Sequence, residues 1–75
     1  MYTIIEMQTT AGVTTVATPI TREERGAAEA EWYMIMARAA MSEAEIHSSV
    51  ILNAEGYIIK NGCVKRQKDI DLNDR

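Results

Sequence analysis

The chain has one cysteine, one histidine, one proline and no long apolar run. Each scarcity excludes something. A lone Cys63 cannot form an intramolecular disulfide, and Cys63 with His47 falls short of the ligand cluster of a structural zinc site. Without about 18 consecutive apolar residues the sequence offers no membrane span. The opening Tyr2-Thr3-Ile4-Ile5-Glu6-Met7 lacks the basic start and apolar middle of a signal peptide. A cytoplasmic location is therefore expected, and an unpaired thiol suits a reducing compartment. Basic residues are also scarce: the formal net charge is −3, the wrong sign for binding nucleic acid across the whole surface.

What is present is a folding composition, 47% hydrophobic and 25% charged. Seventy-five residues allow one domain, expected over residues 1–68 and followed by a polar tail at 69–75. So short a chain buries only about 60% of its unfolded surface. A core of that size rarely supplies more than about 3–5 kcal/mol. With neither disulfide nor metal to help, self-association is the remaining source of burial.

Thr3–Gln8 and Val13–Thr18 are rich in β-branched residues and flank Thr9-Thr10-Ala11-Gly12, which reads as a hairpin loop. Pro19 ends the ladder. Thr21-Arg22-Glu23-Glu24 then has capping-box spacing, so a helix is expected from Arg22 to about Met41, in an alanine-rich stretch interrupted by Gly26 alone. A second hairpin follows: His47-Ser48-Ser49-Val50-Ile51-Leu52, the turn Asn53-Ala54-Glu55-Gly56, and an extended run from Tyr57. Asn61-Gly62 is open to two readings. It is either a turn into a fifth strand or a bulge in one longer strand from Gly56 to about Lys65, and the length of the partner strand favours the bulge. The expected fold is a two-layer α+β arrangement, β-β-α-β-β, with one antiparallel sheet of two hairpins and a single helix on one face.

At 100° per residue Ala28, Trp32, Ile35, Met36 and Ala39 share one side of the helix and form the stripe for the sheet. The opposite side carries Gly26, Ala30, Tyr33, Met34, Ala37 and Met41, leaving Glu24, Glu31 and Arg38 as a narrow polar line. These six residues are the candidate interface. A homodimer through them is expected, with a host protein as the other candidate partner.

Little in the sequence points to chemistry. His47 and Ser48 are strand neighbours on opposite faces, and no carboxylate is placed by spacing to orient the ring. Glu23, Glu24, Glu29 and Glu31 match no metal loop; acids in a first helical turn complement the helix dipole. No catalytic residue, metal or cofactor is expected. Lys60, Lys65, Arg66 and Lys68 form an acid-free basic run, and Tyr57, Lys60, Lys65 and Arg66 are a candidate anion-binding set. A solvated strand edge protected by lysines is the favoured reading of the same run.

From Ala39-Ala40-Met41 through Ile46-His47-Ser48-Ser49-Val50-Ile51-Leu52-Asn53-Ala54-Glu55-Gly56-Tyr57-Ile58-Ile59-Lys60, the chain resembles short proteins of bacterial prophages and conjugative elements. They share a helix ending in small residues, a His-Ser-x-Val strand and an Asn/Asp-x-x-Gly turn followed by an aromatic. Gly62-Cys63 and the acidic tail depart from that pattern. The resemblance implies a non-enzymatic, protein-binding accessory protein that inhibits a host defence component, as anti-CRISPR proteins do. A sponge for a small anion or signalling nucleotide, and a regulatory nucleic-acid binder, are the alternatives.

Overall fold

The computed structural model describes residues 1–66. Lys68 and the tail expected at 69–75 lie outside the described residues. Five strands and one helix follow in the order β1 (Tyr2–Thr10), β2 (Val13–Val16), β3 (Ile20–Arg22), α1 (Arg25–Met41), β4 (Ile46–Leu52) and β5 (Ile58–Lys65). The sheet is antiparallel throughout, ordered β2-β1-β4-β5, with β3 also paired to β1. The α+β architecture read from the sequence is thus present, with one strand more than expected.

That extra strand has a local cause. β2 pairs with the distal half of β1 (Met7 to Thr10) and β3 with its proximal half (Tyr2 to Ile4). Pro19, which has no N–H to donate, falls in the gap between them. It interrupts the ladder rather than ending it, because Ile20 resumes pairing opposite the buried Ile4. Thr21 is consequently opposite Thr3 in the sheet, and the capping box expected from Thr21 does not form. Glu24 takes the N-cap position with extended backbone and no side-chain cap bond, and no acid lies in the first helical turn. The helix therefore starts at Arg25 rather than Arg22.

The two hairpin turns follow their chemistry. Ala11 and Gly12 both have positive φ, 53° and 79°, so β1 and β2 are joined by two residues, not the four expected. In the second turn the Asn53 side-chain oxygen accepts from the amides of Glu55 and Tyr57, and Gly56 has φ 89°. β5 runs unbroken through Asn61-Gly62, as the single-strand reading held. Its irregularity, however, lies opposite Ile51 and Leu52, while Gly62 stays in register across from Ser49.

Between the layers sit Ile4, Ala28, Trp32, Ile35 and Ile51, with Tyr2, Ile20, Met36 and Ile59 packed around them. Four of the five stripe residues are buried as expected, and Met36 is half-buried. Two polar groups are satisfied inside: the Trp32 indole N–H donates to the Ser49 carbonyl at 3.1 Å, and the Ser49 hydroxyl to the Ile5 carbonyl at 2.9 Å. Among the described residues no helix is long and apolar enough to cross a membrane.

Candidate functional site

Two arginine–glutamate pairs tie the helix to the sheet. Arg22 at the end of β3 reaches Glu31 on α1 at 2.7 Å, and Arg38 one helical repeat later reaches Glu6 on β1 at 3.3 Å. Glu6 also meets the buried His47 at 2.6 Å. Along the other seam Lys60 lies over the rings of Trp32 and Tyr33, 5.0 and 5.2 Å from their centroids. The polar line expected at Glu31 and Arg38 is therefore the helix's border with the sheet, and the broad outer sector of α1 is left without charge.

That outer sector is the surface singled out in the sequence. Gly26, Ala30 and Ala37 are exposed, and Tyr33, Met34 and Met41 retain 57%, 52% and 85% of their accessible surface. By helical spacing the six share the outer side of α1, with Tyr33 at its border against Lys60 of β5.

The basic set is dispersed. Lys60 pairs across from Ile51, whose side chain is buried under the helix; Lys65 pairs across from Ile46 on the opposite face. Arg66 turns toward the C-terminal end of α1, with its guanidinium 3.5 Å from the Ala40 carbonyl. Tyr57 precedes β5 and is 70% exposed. No common surface joins Lys60 to Lys65.

His47 and Ser48 are not brought together. His47 points into the core and Ser48 away from it, as strand alternation requires. The pairing of His47 with Glu6 was not foreseen, since 41 residues separate them. A signal existed: Glu6 has the same strand parity as Ile4, so any burial of Ile4 draws Glu6 toward the helix. The Nδ1 atom of His47 is buried without a hydrogen-bond partner among the described residues. No group of three or more His, Cys, Asp or Glu gathers among them. An open hollow of about 290 Å³ beside Thr10, Ala11, Glu43, Glu45 and Arg66 mixes both signs of charge at the surface.

The sequence reading also missed the face of the sheet turned away from α1. β1 and β4 are apolar on both sides: Ile4 and Ile51 face the helix, while Ile5, Met7, Val50 and Leu52 face outward. Strands buried on one face should alternate more cleanly than this.

Compared with known protein families, curated proteins and solved structures, the chain matches none.

Proposed function

We propose that the protein is a non-catalytic binding module that lays the outer strip of α1 in an apolar groove of a different protein, in keeping with the accessory, inhibitory role that the mobile-element resemblance implies. The carrying observation is the exposure of Tyr33, Met34 and Met41 on a charge-free helix face. Ala30, Tyr33, Met34 and Ala37 stand at i, i+3, i+4 and i+7, the spacing by which a helix reads a groove. A strip on a 17-residue helix covers roughly 250 Å². That is small against the 800 Å² or so per partner of a standard flat interface. A groove, which wraps the helix, gains more from such a strip than a second copy's convex helix would. The anion-sponge and nucleic-acid readings both need the basic residues together, and their dispersal weighs against them.

The test is affinity capture from candidate host extracts with the wild-type chain, Tyr33→Glu and Ala37→Glu. A single protein held by the wild type and released by both variants, whose circular dichroism is unchanged, supports the reading. A partner retained by both variants, or none held by the wild type, overturns it.

A further inference from the structure

We infer that the helix-free face of the sheet pairs with the same face of a second copy, with the twofold axis running along β4. Among the strand residues on this face, charge is confined to Lys65 at the edge. Everything else there is apolar, hydroxyl-bearing, thiol or amide. Such a surface offers no counter-charge to an acidic or basic partner, but it matches its own copy in chemistry at every position. Its size also fits. At the rise and spacing of β-strands, β1, β4 and β5, the strands that overlap about this axis, project to roughly 380 Å². The corrugated accessible surface above that plane is larger, which brings it toward the roughly 600 Å² per partner at the lower end of specific interfaces. The strip on α1 offers about two-thirds of that footprint.

The relief of the face selects the axis. Successive rows run across the strands: Val16, Met7, Ser48 and Cys63 form one, and Ile5, Val50 and Asn61 the next. In these two rows the longer side chains, Met7 and Ile5, stand on the β1 side and the shorter ones, Cys63 and Asn61, on the β5 side. There Ser48, Val50, Asn61, Gly62 and Cys63 line a shallow hollow of about 340 Å³. Rotation about an axis along β4 places β1 of each copy above β5 of the other while keeping the rows level. The partner's Met7 then fills the hollow beside Cys63, and the partner's Ile5 covers Asn61. Aligned sheets about 10 Å apart accept this arrangement. An axis across the strands would set bulk on bulk and hollow on hollow.

This inference concerns a different face from the binding strip of α1, and the two fail separately. Sedimentation across a concentration series should show a monomer–dimer equilibrium. The reactivity of Cys63 toward a thiol reagent should fall in proportion to the monomer fraction. Val50→Glu, which buries an unpaired charge in the contact, should weaken pairing more than about a hundredfold with circular dichroism retained. Ala37→Glu should leave pairing unchanged. Met7→Glu and Cys63→Lys should each weaken pairing alone and restore it when mixed, because each introduced charge then meets its opposite. A wild type that stays monomeric at high concentration overturns the proposal. So does pairing that survives Val50→Glu but not Ala37→Glu, and so does a mixture with no rescue, which removes the axis along β4.

Discussion

Gly62 stands where no side chain would fit. A β-carbon built there would lie 2.7 Å from the Trp32 ring and 3.0 Å from the end of Met36. Its backbone is not in the left-handed region, so the requirement is space and not conformational freedom. The Trp32 ring cannot retreat, being held by its bond to the Ser49 carbonyl. Gly62→Ala should therefore cost about 1–3 kcal/mol through overpacking, read by chemical denaturation. The glycine was visible in the sequence, but its reason was not. A bulge and a close approach both ask for glycine in a strand, and only the position of α1 over β5 separates them. Glu6 and His47 were hidden by the same kind of distance, since each is ordinary in its own strand and they become partners through register.

At the scale of elements, the helix core stripe was legible because a period of 3.6 residues is written in consecutive sequence: Ala28, Trp32, Ile35 and Ala39 need no knowledge of the sheet to be placed together. The helix start was not, because Thr21 had two competing uses. As a cap it would satisfy helix amides; in β3 it completes a ladder with Thr3, and pairing to β1 prevailed. A three-residue strand after a proline carries too little pattern to be seen without its partner. The first hairpin turn shows a remaining local conflict. Ala11 holds φ 53°, a conformation that costs an alanine about 1 kcal/mol or more. Ala11→Asn creates the Asn-Gly pair that such turns prefer and should raise stability by about 1 kcal/mol, measured as a higher melting temperature. A fall in melting temperature would show that Ala11 is held there for another reason.

Taken whole, the molecule separates its charges from its broad surfaces. The Arg22–Glu31 and Arg38–Glu6 pairs occupy a seam between the layers, and the outer side of the helix and the outer side of the sheet are both left nearly neutral. The sequence showed the first of these surfaces, because one helix reveals its own circumference. It hid the second, because a strand with apolar residues on both sides reads simply as hydrophobic until the helix is known to cover only one. This division has a consequence for solution behaviour. Copies with net charge −3 repel one another at long range, while the outward sheet face holds almost no charge to be screened. Raising salt toward 1 M shortens the screening length to about 3 Å. Sheet-face pairing should then hold or tighten, with an unchanged or lower dissociation midpoint in sedimentation; a contact built on ion pairs would loosen.

Trp32 is the single tryptophan of the chain, lies 9% exposed between helix and sheet, and has its indole N–H bonded across the gap. Cys63 is the single cysteine and lies exposed on the other side of the same sheet. The protein thus carries one native reporter on each side of its β layer. Indole emission will register whether the helix is docked, and thiol labelling will register whether the opposite side is covered. Folding and assembly can both be followed on the wild-type sequence, with no reporter introduced by substitution.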